Sequence, residues 1–310
     1  MKPGIYTEAQ LSMDAYHAAR HIVGRSCLKT LDEGMPADAR RYLDEPSDSS
    51  TAAMAFGTAV QACLRSRSAF EAEYIRQPVF AGPNADEQFK GTGAKARIAA
   101  WKEANAHKIQ LPASDYDQVL EAAREVHATP SAAKVLALPD LQHETSFVWE
   151  EEKHGGRIVK ARPDFWSRAA GMTADLKVDG RGDLSDRKLQ EYVTAYYAHL
   201  QGSMCMRGLI ANGEAFRSHV LIVVRRKPPV KCRVVVMRLD DASPSWLECG
   251  EAQFDALLAE FVECERTGAW PDYGDQGTQL PVPAYVSVKQ SHYHERLERA
   301  TKDQPKENEA

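Results

Sequence analysis

Asp164, Asp175 and Lys177 are the residues of this 310-residue chain whose types and spacing could do chemistry. Asp164 follows Pro163, ten residues separate it from Asp175, and Lys177 stands two beyond. The stretch around them, Arg157 to Val178, reads as a β-hairpin. Ile158, Val159 and Ala161 alternate with Lys160 and Arg162, a turn follows through Ala169, Ala170 and Gly171, and Met172 to Val178 form the return arm. Side chains two apart on a strand share a face, so Asp175 and Lys177 point one way and Leu176 and Val178 the other. Pairing of the arms brings Asp164 towards Asp175. Two carboxylates side by side offer hard oxygen donors to a divalent cation, and the amine beside them can activate a water or offset developing charge. On a solvated hairpin the same residues would make only a surface ion pair of small worth.

The elements that must carry this hairpin can be read on either side of it. Residues 7 to 31 read as helical, with Ser26 as an N-cap, and the Pro-, Asp- and Ser-rich residues 34 to 51 as a loop. Met54 to Leu64 is a small-residue helix able to lie close against a sheet, and Phe80 to Gly93 is irregular. Residues 94 to 107 and 113 to 137 read as two helices, the second with Val119, Ala122, Ala123 and Val126 at helical spacing. After Pro139 the period becomes two: His143 to Trp149 is a strand, and a turn at His154-Gly155-Gly156 leads into the hairpin. Beyond a loop at Gly180 to Asp183, residues 185 to 211 read as one long helix bearing Tyr192, Tyr196, Tyr197, His199 and Gln201. Strands at Val220 to Val224 and Val230 to Leu239 and a helix over 248 to 267 complete the pattern, and the polar tail from about Ser287 is expected to be disordered. This order predicts an α/β sandwich, a central mixed sheet flanked by helices.

Composition sets the class. Apolar residues make up 43% and charged residues 27%, the balance of a globular protein, and no apolar run approaches the roughly 20 residues of a membrane helix. No signal segment opens the chain, and six cysteines without a C-x-x-C pair suggest neither a disulfide framework nor a zinc site, so the expected compartment is a reducing cytoplasm. The net charge of −5 does not forbid nucleic acid, because a groove needs positive charge only locally. Bases gather near the hairpin at Arg157, Lys160, Arg162 and Arg168, then Arg181, Arg187 and Lys188, with a second group at Arg225, Arg226, Lys227, Lys231 and Arg233. Arg162, Arg181 and Lys188 are the candidate DNA contacts, and Tyr196 could stack on an end base.

Pro163-Asp164 and Asp175-Leu176-Lys177 resemble the PD-(D/E)XK nuclease motif. With the flanking segments in order, the chain resembles the phage-type recombination exonucleases, the exonuclease VIII (RecE-type) nuclease domain of that superfamily. The matches run from Tyr16-His17, Ser26 to Leu31 and Phe56-Gly57-Thr58-Ala59-Val60 through Ala69 to Tyr74 and Glu144 to Trp149. They continue with Lys160 to Asp164, Asp175-Leu176-Lys177, Gln201 and Glu263 to Pro271.

The resemblance implies a PD-(D/E)XK core at 139–285, an N-terminal helical region at 1–138 that packs on it and lends one site helix, and the tail 286–310. It implies Mg²⁺-dependent digestion of linear double-stranded DNA, 5′ to 3′, with Mn²⁺ as a substitute, leaving a 3′ strand for a single-strand annealing protein. It also implies a ring-like homo-oligomer and a phage or prophage origin in a bacterial cell. Asp164 and Asp175 would hold the metal, Lys177 would serve the attacking water, and Gln201 would position Lys177 or touch the DNA backbone. Where the family usually has a metal-binding histidine this chain has Gln61, whose neutral amide oxygen can ligate Mg²⁺ or merely border the groove. Where it tends to have a tyrosine, four residues after Gln201, this chain has Cys205. Two other readings follow: a catalytically weakened DNA-binding or assembly module, and a nuclease for single-stranded or structured ends.

Overall fold

The computed structural model describes residues 1–45, 51–78, 92–180, 182–241 and 243–274. The chain divides into a unit Met1–Pro271 and a second unit from Asp272 onward, of which only residues 272–274 are described. The expected irregular stretch at Phe80 to Gly93 falls mostly, and the tail from Ser287 entirely, outside the described residues.

The first segment opens with strand β1 (Gly4–Tyr6), helix α1 (Met13–Ala18), strand β2 (Val23–Gly24) and helix α2 (Arg25–Glu33). Residues 7 to 31 are therefore not one helix, and Ser26 lies inside α2, whose N-cap is Gly24. Residues 36–44 form helix α3 (Pro36–Asp44) where a loop was expected. Pro36 suits the first helical turn, and the Asp38 carboxylate accepts from the Met35 N–H at 2.8 Å, so the residues that suggested a loop start a helix. Helices α4 (Ala52–Arg65) and α5 (Arg67–Glu73), strand β3 (Tyr74–Arg76), helix α6 (Thr92–Ala104) and strand β4 (Ile109–Leu111) follow. The expected helix over 113 to 137 is broken by Pro130 into α7 (Ala113–Ala128) and α8 (Pro130–Leu136).

Two sheets hold the remainder, and the chain steps between them twice. β5 (Gln142–His143) belongs to one sheet, but β6 (Ser146–Glu151) and β7 (Arg157–Ala161) pair in the other, in the order β1-β6-β7-β2. β8 (Phe165–Ser167) and β9 (Met172–Asp179) return the chain to the first sheet, which β10 (Ser218–Arg225) and β11 (Lys231–Met237) extend in the order β11-β10-β9-β8-β5. β10 runs parallel to β9 and the other pairs in that sheet are antiparallel, so it is mixed as expected. The hairpin is consequently shorter than expected. Its arms are β8 and β9, and β7 pairs with β6 instead. Pro163 has no N–H to give a ladder, and the chain changes sheets there.

Helices α9 (Asp186–Ala195), α10 (Ala198–Ala211) and α11 (Trp246–Thr267) cover one side. The expected single helix over 185 to 211 is two, divided where Tyr197 takes a left-handed backbone at φ 53° and Arg25 donates to the Tyr196 carbonyl at 3.1 Å. One face of the five-stranded sheet, through Ala174, Leu176, Val220 and Ile222, packs on Phe56 and Val60 of α4 and Val119 and Val126 of α7. The opposite face, through Leu221 and Val223, meets Tyr192 of α9 and Leu247 of α11. Phe147, Trp149 and Val159 of the four-stranded sheet share a third cluster with Leu28 of α2, Met204 of α10 and Phe254 of α11. Residues 1–138 thus supply two strands, β1 and β2, to a sheet as well as helices. No helix among the described residues is long and apolar enough to cross a membrane.

Candidate active site

Glu144 and Asp164 sit at the two steps between sheets. The chain passes Glu144 between β5 and β6 and passes Asp164 between β7 and β8, and the Glu144 N–H donates to the Asp164 carbonyl at 3.2 Å. Glu144 is held at φ 50°, a left-handed backbone that costs free energy for a residue with a Cβ and recurs where structure serves a site. Where the sheets diverge, a cavity of about 520 Å³ opens, lined among others by Gln61, Glu144, Asp164, Asp175, Lys177 and Gln201.

The hairpin register puts Phe165 opposite Ala174, so Asp164 and Asp175 are the next facing pair. The Asp164 Oδ2 accepts from the Leu176 N–H at 2.6 Å, and Lys177 Nζ stands 3.7 Å from Asp175 Oδ1. Leu176 turns into the core, as strand alternation requires. Burial pushes the Asp164 carboxyl up to about 6, against the pull of the Lys177 ammonium and with help from the Asp175 charge. Burial would raise Asp175 too, but Lys177 and His219 outweigh it and hold this carboxyl well below the usual range. Glu144 is buried as well. Burial and then the Asp164 charge raise it to about 7, although the Gln61 amide donates to its Oε1.

These shifts predict how the metal-free protein responds to pH. Glu144 binds its proton more tightly folded than unfolded, so its favourable contribution is complete below the unfolded value near 4.5 and is lost as pH rises through 7. Glu144→Gln cannot ionise and escapes that loss. In the presence of a chelator, its gain in thermal stability over the parent is expected to be larger at pH 8 than at pH 5, by about 1–3 kcal/mol. Equal gains at both values would contradict the assignment.

Basic side chains also line the cavity. Lys160 and Arg162 both lie over the Tyr16 ring, each 4.4 Å from its centroid. Burial and the neighbouring Arg162 lower Lys160 to about 8, while its ammonium donates to the carbonyls of Tyr16 and Ala19. Arg162, expected to touch DNA, is 8% exposed and donates to Ser146 Oγ at 2.7 Å and the Leu11 carbonyl at 2.6 Å, so its side chain braces the wall.

The other expected site residues divide. Gln201 is buried on α10 and faces the cavity, but its amide donates to the Arg162 carbonyl at 3.1 Å, which ties α10 to the residue before Pro163. Tyr196 lines the cavity at the break between α9 and α10. Lys188 lies on α9 outside the cavity lining and pairs with Glu191. Arg181 lies outside the described residues. In the second basic group, Arg225 donates to Pro229 and Gly182 carbonyls, Arg226 pairs with Asp115, Lys231 with Glu125 and Arg233 with Asp186, which makes them latches between elements. His199 is packed, its Nδ1 3.2 Å from the Val193 carbonyl.

Sequence reasoning gave no role to Glu144 or Arg25 and placed Lys160 only in a basic group near the hairpin, yet all three line the cavity. Glu144 could have been suspected only from its place in the Glu144 to Trp149 match, since a lone acid before a strand carries no periodic signal.

The oxygen donors suit a hard cation. Among the described residues no group of three or more His, Cys, Asp or Glu is placed to hold a metal ion. Two facing carboxylates with room beside them suit a hard divalent cation that keeps waters and takes further oxygens from a phosphate.

A family model described as a PDDEXK-like domain of unknown function (DUF3799) matches residues 24–279. Among solved structures, the chain is similar to a crystal structure titled "Putative exonuclease" from Eubacterium rectale. The two share 13% identity at a TM-score of 0.57, over 88% of this chain and 96% of that one, a likeness of fold. No curated protein matches the chain.

Proposed function

We propose that this chain, which belongs to the PDDEXK-like family, is a metal-dependent exodeoxyribonuclease that degrades linear double-stranded DNA from 5′ to 3′. The observation that carries this reading is the convergence of Asp164, Asp175 and Lys177 on one cavity whose lining also includes Arg25, Lys160 and Arg162. Asp164 and Asp175 would hold Mg²⁺ or Mn²⁺, which when bound neutralises the scissile phosphate and lowers the pKa of a water. Lys177 orients that water and offsets charge on the phosphate as it becomes pentavalent. Water oxygen bonds to phosphorus, the P–O3′ bond breaks, and O3′ leaves with a proton. Released 5′-mononucleotides leave a growing 3′ single strand. Its partners would be duplex ends, a single-strand annealing protein and further copies of itself in a ring, within a bacterial cytoplasm and of phage or prophage origin.

Polarity is tested with a duplex labelled at one end at a time. A 5′ label should appear early as mononucleotide while a 3′ label stays on a long strand, and early loss of the 3′ label would overturn the direction.

Gln61 shares the cavity with the carboxylates, and its amide nitrogen donates to Glu144, which leaves the amide oxygen as the atom that could ligate a cation. Gln61→His brings an imidazole, better tolerated by Mn²⁺ than by Mg²⁺. The Mn²⁺ concentration for half-maximal cleavage is expected to fall several-fold at pH 8, with the gain fading below about pH 6.5 as the free imidazole protonates. Identical metal curves for both proteins would mean that residue 61 does not face the cation.

A further inference from the structure

A carboxylate that must hold a cation is best fixed from behind, and the interior behind Asp175 contains a side chain suited to that task. His219 on β10 is fully buried and lies outside the cavity lining. Parallel pairing sets it opposite Thr173, two residues before Asp175. Its Nδ1 lies 2.9 Å from Thr173 Oγ1 and its Nε2 lies 3.2 Å from Asp175 Oδ2. Lys177 approaches the other carboxylate oxygen, Oδ1. The Asp175 Oδ2 and His219 Nε2 atoms are sealed from solvent without an aligned hydrogen bond, so each is the polar group available to the other.

The ring has one tautomer that suits both neighbours. The Thr173 hydroxyl can donate to Nδ1, which leaves the proton on Nε2 facing the carboxylate. The reverse would aim a lone pair at a buried anion. Space for the ring is also built in. A Cβ on Gly202 of α10 would come within 3.0 Å of His219 Cβ and Cγ, so the helix is bare where the histidine passes.

We infer that His219 is a positioning residue for Asp175, holding Oδ2 from the rear so that the carboxylate keeps its Lys177 side turned to the cation; this rests on the nuclease reading of the site. Groups that orient metal-binding side chains from outside typically contribute 10- to 100-fold in affinity.

The test titrates Mn²⁺ calorimetrically into the full chain and its variants, with thermal melts alongside. Asp164→Asn should lose most of the binding. His219→Phe, which keeps a ring without its nitrogens, should bind about 10- to 100-fold more weakly. His219→Gln, whose amide N–H can replace Nε2–H, should recover most of that loss, a rescue that packing alone would not produce. His219→Phe binding like the parent, or His219→Gln no better than His219→Phe, overturns the inference while Asp164→Asn still reports a working site. Binding unaffected by Asp164→Asn overturns the nuclease reading and the inference with it. If His219→Phe does not fold, nitrogen-15 spectra of the parent decide. A neutral ring protonated at Nε2 supports the inference, and one protonated at Nδ1 overturns it.

Discussion

Asp175→Asn is expected to reduce DNA cleavage to below about a thousandth of the parental rate, because it removes one of two facing anionic donors from a site that supplies few others. The choice of asparagine follows from what surrounds the side chain. Repulsion between Asp164 and Asp175 alone would make removal of either mildly stabilising in the metal-free state. The structure reverses that expectation for Asp175, which Lys177 and His219 hold ionised despite burial. Asp175→Ala would leave both partners facing an empty space, and breaking such a buried pair costs about 3–5 kcal/mol. Asp175→Asn keeps the shape and an oxygen, so lost cleavage with a near-parental melt would isolate the chemistry. Cleavage of linear duplex at the parental rate would show that the metal-binding carboxylates lie elsewhere.

Lys177→Ala should slow the chemical step by about 100-fold or more, the usual loss when one charged group is removed from a transition state. Lys177 is also the main group that lowers Asp164, and it lowers Asp175 together with His219 and Arg25. Without it both carboxyls titrate at higher pH, so protons compete better with the cation. The acid limb of the rate profile should move upward, with metal binding weakened at pH 6 and nearly normal at pH 8. Single-turnover cleavage beside calorimetric metal binding separates the two effects. Equal losses of binding and rate at pH 8 would make Lys177 only a structural partner of the carboxylates.

What the sequence made legible was decided by periodicity. The return arm of the hairpin alternates cleanly, so the shared face of Asp175 and Lys177 and the inward turn of Leu176 followed from the pleat alone. The α4 helix was legible because Phe56, Ala59, Val60, Cys63 and Leu64 recur at helical spacing. The division into two sheets was not, because β7 satisfies the same alternation whether it pairs with β6 or with β9, and only the ladder selects a partner. The chain breaks between α9 and α10 at Tyr196 and Tyr197 without a glycine or proline to announce it, so the break is a tertiary effect. Arg162 looked like a DNA contact because charge is usually exposed, yet Tyr16, Ser146 and the Leu11 carbonyl absorb it. His219 adjoins an apolar run, where a single polar residue has no pattern to betray its target, and its partner lies 44 residues earlier on a parallel neighbour.

The most direct measurement of the central claim compares linear and covalently closed forms of one DNA, incubated with the purified chain in Mg²⁺ and again in excess chelator. The proposed exonuclease should consume the linear duplex only when Mg²⁺ is present and spare the closed circle throughout. Intact linear DNA in Mg²⁺ and in Mn²⁺, or a circle cut as fast as the linear form, would contradict it.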